Sequence, residues 1–371
     1  MASKTGVIVI GSGIGGLCCG GLLARGGQEV LVLEAHSKPG GAAHGFGKTY
    51  HYESGPSLWS GLGRWPSSNP LTQILRALGQ ELEVIEYRDW DVLFPEGHLR
   101  IGVGNADFEA VVQQLRGPGA VAEWQRFMQV LQPIAAAADA LPLLALRPGA
   151  DVMAQLLRRG GQLLPHLGAM RHLGGAFGPL VNQHLSDPFL RHWVDLLCFL
   201  ISGLPMEGTN AAAMATLFGQ WFEPDACLDF PKGGSKAVVM ALVRGLESHG
   251  GELRLRSRVR RVLLEGDRAI GVELESGEQI HAEHVVSNAD VWSTLKLLPD
   301  GVAQRWQRQR GATPACGSFL HLHLGFDATG LDDLPIHTVW VGDWERGITA
   351  ERNAVVAVSY THLRAHETSI D

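Results

Sequence analysis

The apolar positions near the start of the chain fall in unbroken runs rather than alternating with polar ones. Val7-Ile8-Val9-Ile10 predicts a strand buried on both faces, as in a parallel sheet. Gly11-Ser12-Gly13-Ile14-Gly15-Gly16 follows at once, then a helical stretch through Arg25 that Gly26-Gly27 ends. Val30–Leu33 is a second apolar run, closing on Glu34, so the opening segment reads as a βαβ unit. Farther on, helical spacing marks Leu71–Leu78, Phe108–Leu115, Glu123–Leu146 and Val152–Leu164, and Trp90–Val103 reads as a hairpin turning at Glu96-Gly97. A helix from Lys236 to about His249 sets Val238, Val239, Leu242 and Leu246 near one face, and Gly250-Gly251 stops it. Strands are predicted at Glu252–Val259, Val262–Glu265, Ala269–Leu274, His284–Ser287, Ser318–Leu324 and Ala354–Val358.

Composition narrows the class. With 45 % apolar and 19 % charged residues in 371 positions, the chain can bury a sizeable core and is not disordered. A net charge of −7 argues against a nucleic-acid partner. The five cysteines, Cys18, Cys19, Cys198, Cys227 and Cys316, form no C-x-x-C pair, so neither a disulfide framework nor a metal site is expected, and a reducing compartment fits. The most apolar windows, such as Pro133–Leu146 and Leu196–Met206, fall short of the ~20 residues of a spanning helix. No targeting segment is visible. The protein is expected to be cytoplasmic or plastid-stromal, resting at most on a membrane surface.

Each glycine of the first turn has its own task. Gly11 permits the tight turn, Gly13 lets the backbone approach a pyrophosphate, and Gly16 lets the helix lie close on the strand. Ile14 and Gly15 open a helix whose unpaired N–H groups are offered to phosphates. Glu34, 18 residues beyond Gly16, is placed to accept hydrogen bonds from a ribose diol. Strand, turn, helix, strand and acid in this order define a dinucleotide site.

Glu34 leads into Ala35-His36-Ser37-Lys38-Pro39-Gly40-Gly41-Ala42, and then Tyr52-Glu53-Ser54-Gly55-Pro56-Ser57. Here the chain resembles the FAD-binding fold of the amine-oxidase and phytoene-desaturase superfamily. In that family a second glycine pair follows the acidic residue and a G-P-S-like turn passes close to the flavin. Many members carry Arg after the pair; Ala42 is a departure shared with the carotenoid-isomerase and retinol-saturase branch. Phe230-Pro231-Lys232-Gly233-Gly234-Ser235, the helix after it and the meander ending in Val285-Val286-Ser287-Asn288-Ala289 resemble the family's second block. The likeness covers residues 6–62 and 226–290 well and the middle only in general character.

The resemblance implies an α/β protein: an FAD-binding Rossmann-like fold of the two-dinucleotide-binding-domain type, carrying an inserted, largely helical substrate domain. Residues 1–65 and 226–295 would form the FAD-binding domain, and 66–225 with 296–357 the substrate domain. It implies FAD as cofactor, held at Gly11, Gly13, Ile14, Gly15, Gly16, Glu34, Ala35, Gly40, Gly41, Ala42, Gly55, Pro56, Ser57, Val259 and Asn288, with the backbone near Val259 against the adenine. The substrate implied is a long apolar polyene, isomerised, desaturated or saturated, with the Leu-, Ala- and Met-rich middle as a helical core or an apolar tunnel. Other readings are a flavin amine oxidase and a non-catalytic isoprenoid-binding protein. Polyene chemistry asks little of side chains, so no catalytic residue is nominated.

Several residues read two ways. His51 and Glu53 are solvated strand-end groups or neighbours of the flavin, and Trp59 is a channel wall or a core residue. His321 and His323 share a strand face but lack a third ligand for a metal. Arg254, Arg256, Arg258 and Arg260 share the solvated face of one strand, with anionic lipid as the alternative partner. Val358–Thr368 reads like a translated library adapter. Native coding is therefore expected to end near Ala357, with 358–371 a non-native tail. The family closes its flavin site with a C-terminal glycine-rich segment that this chain does not show, so its flavin pocket is expected to be incomplete.

Overall fold

The computed structural model describes residues 4–359 apart from 49, 57, 68, 141–160, 162–163, 225, 300, 303, 316–319, 328, 331–333, 347 and 349–354. In chain order its strands are β1 (Lys4–Ile10), β2 (Val30–Leu33), β3 (Gly45–Phe46), β4 (Tyr52–Glu53), β5 (Val84–Tyr87), β6 (Asp89–Phe94), β7 (Gly97–Gly102), β8 (Leu228–Pro231), β9 (Glu252–Arg254), β10 (Val259–Glu265), β11 (Arg268–Leu274), β12 (Gln279–Ser287), β13 (His337–Val341) and β14 (Val355–Ser359).

Among the described residues the larger sheet runs β10-β11-β12-β1-β2-β9. Its β12, β1, β2 and β9 are parallel, with Val7 opposite Val30 and His284, whereas β10 and β11 join antiparallel. The apolar run Val7–Ile10 occupies the middle of this sheet and is buried on both faces. Val7, Val9, Val30 and Val32 meet Leu17 of helix Ile14–Arg25 and Leu242 and Leu246 of helix Gly234–Ser248. On the opposite face, Ile8, Ile10 and Leu33 pack with Val262, Val272, Leu274 and Ile280 of the antiparallel strands.

The two helices come close because both lack a side chain where they meet Leu78. A Cβ on Gly21 would lie 2.7 Å from Leu78 Cδ1, and one on Gly245 only 2.8 Å from Leu78 Cβ. Leu78 follows helix Pro70–Ala77, which Asn69 caps by accepting the Leu71 N–H.

A second core has a different character. Trp90, Phe108, Trp124, Phe127, Phe177, Trp193 and Phe218 are buried together, drawn from β6 and from helices Asn105–Arg116, Pro118–Ala140, Phe177–His184, Pro188–Ser202 and Ala211–Trp221. The sheet β14-β13-β6-β7 backs this helical layer. The helices predicted at Leu71–Leu78, Phe108–Leu115 and Lys236–His249 and the hairpin are present, while β5, β8 and β13 had no clear sequence signal. The helix read from Glu123 begins at Pro118, and its end past Ala140 lies outside the described residues, as does most of Val152–Leu164.

Two readings are corrected. The strand predicted over Glu252–Val259 stops at Arg254, because Arg256 takes a positive φ of 54° and its N–H binds the carbonyl of His36. The four arginines therefore do not share a face: Arg254 pairs with Glu278, Arg258 with Glu275, and Arg260 with Glu273. Residues 320–327 form no strand, and 318–319 lie outside the described residues. β14 runs through Ser359, paired with His337, and 360–371, which hold most of the expected non-native tail, lie outside the described residues. No described helix is long and apolar enough to cross a membrane.

Candidate dinucleotide site

The carboxyl ends of β1 and β2 carry the site. Gly11 adopts a φ of 94°, which only glycine tolerates comfortably, and its N–H binds the Leu33 carbonyl at 2.8 Å. A Cβ on Gly16 would come within 2.1 Å of the Gly11 oxygen, so the helix can start here only with glycine at that position. The Asn288 side chain adds a second reason for glycine. Its side-chain amide sits where a Cβ on Gly13 or Gly15 would fall, 2.9 and 2.7 Å away, while the Asn288 backbone N–H donates to the Ile10 carbonyl at 2.8 Å. Asn288 thus braces the turn from β12.

Gly40 and Gly41 return to this turn. The Gly40 N–H donates to the Ser12 carbonyl at 2.9 Å, Gly13 and Gly40 form a bridge, and a Cβ on Gly41 would stand 3.2 Å from Gly13 Cα. Both have positive φ, 115° and 56°. Ala42 follows, exposed, its carbonyl accepting the Ser54 hydroxyl at 2.9 Å, and a Cβ on Gly55 would strike that same oxygen. Pro56 accepts from Ser235 Oγ at 2.7 Å. Ser57 lies outside the described residues.

Glu34 is the organised acid of the site. Its Oε2 accepts both the N–H and the hydroxyl of Ser12, at 2.9 and 2.7 Å, and Oε1 accepts the His36 N–H at 2.8 Å. Burial alone would raise this carboxyl, but the bonds from His36 and Ser12 outweigh it and hold it below the usual carboxylate range. A carboxylate offers about four acceptor positions. Three are filled, by Ser12 N–H and Oγ and by His36 N–H, and Oε1 keeps one acceptor position. The loop before β10 stands alongside, with the Ser257 N–H on the Glu34 carbonyl at 2.7 Å. Ala35 is exposed next to it, Ile14 is half-buried at the first position of the helix, and Val259 itself faces the core.

The remaining candidates divide. Glu53 is not a solvated strand-end group: it accepts the Ser235 N–H at the start of helix Gly234–Ser248, its Oε2 is buried without a partner, and burial raises its pKa. His51 is exposed. Trp59 is half-buried, and its backbone bridges Asp229. The His321 and His323 rings are 6.0 Å apart, with His323 packed on Phe46 and Tyr52. Ser12 and Ser235 escaped sequence reading; the only clue was a hydroxyl within each glycine turn.

A parallel sheet with glycine turns stacked at Gly13, a helix N-terminus free of acidic residues and an ionised acid at the end of β2 define a protein that binds an ADP-containing dinucleotide. This cradle fits FAD. The chain belongs to the flavin containing amine oxidoreductase family, which it matches over residues 14–367. It is 28 % identical over 337 residues to chloroplastic prolycopene isomerase 1 of Oncidium hybrid cultivar, covering 88 % of this chain and 56 % of that protein. Against phytoene desaturase (lycopene-forming) of Paracoccus sp. the identity is 26 % over 364 residues, covering 92 % and 66 %. The chain thus spans about half the length of the prolycopene isomerases it matches. Its fold is shared with putrescine oxidase bound to putrescine (TM-score 0.61, 17 % identity, 99 % of this chain and 78 % of that one). It is also shared with an oxidoreductase of Methanosarcina mazei (TM-score 0.56, 19 % identity, 83 % and 65 %).

Proposed function

We propose that this chain is the FAD-holding part of an oxidoreductase or isomerase that acts on a long apolar polyene such as a carotenoid. The observation that carries the reading is the meeting of Gly13 with Gly40 and Gly41, the double glycine cradle, in a chain similar to prolycopene isomerases over 88 % of its length. Bound FAD supplies hydride exchange with a carbon chain. The chain supplies the rest. The helix N-terminus at Ile14–Gly16 binds the pyrophosphate, Glu34 Oε1 takes a ribose hydroxyl, and the backbone from Ser257 to Val259 borders the adenine. Ala35, Ala42, Gly55, Pro56 and Ser57 line the same cradle, and Asn288 braces it. Residues 1–65 and 226–295 form this unit, while the aromatic and aliphatic second core of 66–225 and 296–357 orients the polyene and excludes water. The exposed Leu164 and Leu167, three residues apart in successive helical turns, support contact with a membrane holding such a substrate.

The test is anaerobic incubation of the flavin-loaded protein with a poly-cis carotene and reduced flavin. Isomerised carotene, read by chromatography, supports the reading. Peroxide formed from an added amine in air would point instead to an amine oxidase, and tight carotene binding without product to a carrier.

A further inference from the structure

At the antiparallel pairing of β5 with β8, Glu86 stands opposite Asp229, and Cys227 precedes Asp229 by two residues. One ligand atom from each of the three lies within 4.8 Å of the others. Glu86 reaches solvent, whereas Cys227 is buried and Asp229 is sealed completely. Asp229 Oδ2 accepts the Leu62 N–H at 2.6 Å and the Gly63 N–H also faces the carboxylate, but Oδ1 is buried with no hydrogen bond of good geometry. An orphaned buried acceptor costs about 1–3 kcal/mol, and more when charged. Gly63 shows where the carboxylates look: a Cβ there would lie 3.5 Å from Asp229 Oδ1 and 3.6 Å from Glu86 Oε1. Arg64, the cation paired with Glu86 at 3.3 Å, leaves that Asp229 oxygen unsatisfied.

We propose that Glu86, Cys227 and Asp229 bind a borderline-soft divalent cation of the zinc class. One sulfur and two carboxylate oxygens suit Zn²⁺, whereas Mg²⁺ and Ca²⁺ prefer oxygen alone. Bonds of ~2.3 Å to sulfur and ~2.0 Å to oxygen set ligand atoms ~3.3–3.5 Å apart. The side chains therefore draw inward by about an ångström, and exposed Glu86 makes most of that movement as Arg64 turns to solvent. The ion replaces the Cys227 thiol proton, which passes to water, and leaves a fourth position for a water molecule. Asp229 also fastens the preceding loop, through the Leu62 N–H and through its own N–H on the Trp59 carbonyl at 2.8 Å. The bound ion clips residues 59–63 to the β5–β8 pair.

The test is titration of the flavin-loaded protein with Co²⁺, a spectroscopic stand-in for Zn²⁺, as difference spectra against the same protein in chelator. A thiolate-to-cobalt charge-transfer band is expected in the parent protein, bleached by Zn²⁺ and absent in Cys227→Ser. Glu86→Gln, which alters only the exposed ligand and spares the buried core, should weaken Co²⁺ binding by about tenfold or more. No band, a band that survives Cys227→Ser, or an affinity unchanged in Glu86→Gln overturns the proposal.

Discussion

The Glu53 carboxylate accepts the backbone N–H of Ser235, 182 residues farther along the chain. Helix Gly234–Ser248 has no side-chain cap of its own, since Gly233 fills the cap position. Glu53 supplies that cap from β4, and Ser235 returns a hydroxyl to Pro56. The turn at Ser54–Pro56 is therefore held from two sides, by Ala42 through the Ser54 hydroxyl and by the second glycine-rich segment through Ser235. Glu53→Ala should destabilise the protein by about 1–3 kcal/mol and weaken flavin binding, both readable by denaturant unfolding and flavin titration.

The same residue gives a pH signature. Burial raises the Glu53 pKa above its unfolded value, so its contribution to stability is full below the unfolded pKa and is lost as pH rises through the folded one. Glu53→Gln keeps an oxygen for Ser235 and lacks the proton. Its unfolding midpoint should fall less with rising pH than that of the parent; parallel profiles would contradict this assignment.

Asp195 behaves alike in the second core. Burial, with a further push from Glu207, lifts its pKa to about 6 even though it accepts the Met206 N–H at 2.8 Å. Stability from this group is present below its unfolded pKa near 3.8 and is lost as pH rises past about 6. Asp195→Asn should raise the urea midpoint at pH 7 and leave it nearly unchanged at pH 4.

Glu34→Ala removes a charged acceptor that serves Ser12, His36 and the proposed ribose hydroxyl. Losing one charge-assisted bond to the cofactor costs about 1.5–3 kcal/mol, so the FAD dissociation constant should rise roughly 10- to 150-fold. Fluorescence titration with free FAD reads this directly.

Glycine replacements separate two kinds of crowding. At Gly13 a new Cβ meets the Asn288 side chain, so Gly13→Ala should recover flavin binding when combined with Asn288→Ala. Gly16→Ala strikes the Gly11 backbone oxygen and should not be rescued by any change at 288. Equal rescue at both positions would show that Asn288 is not the obstacle at Gly13.

The first turn and its helix were legible because their signals are local: an apolar run, glycines at fixed offsets and an acid at the strand end. The sequence left Glu53 open between a solvated strand end and a place beside the flavin, because its partner lies 182 positions away and nothing in its neighbourhood reveals burial. Alternating Arg and Leu from Leu253 to Val259 imitates one strand, but Arg256 and Ser257 bond to His36 and Glu34 instead of continuing it. The alternation of Leu and His from Leu320 to Leu324 misled in the same way, since pattern specifies a face but not a partner. β5 and β8 were missed because Pro231 and a single short apolar run give no periodicity, yet they meet as an antiparallel pair.

The position of β1 has a consequence for how the protein is made. Lys4 pairs with His281, so the central strand waits for a neighbour that leaves the ribosome 277 residues later. At roughly 5–20 residues per second the interval is about 14–55 s. Throughout it Val7–Ile10 has β2 on one edge and an open edge on the other, while the helical core is synthesised in between. A nascent chain halted before β12 should be far more open to chaperones and proteases at its N-terminus than one halted after Ser287.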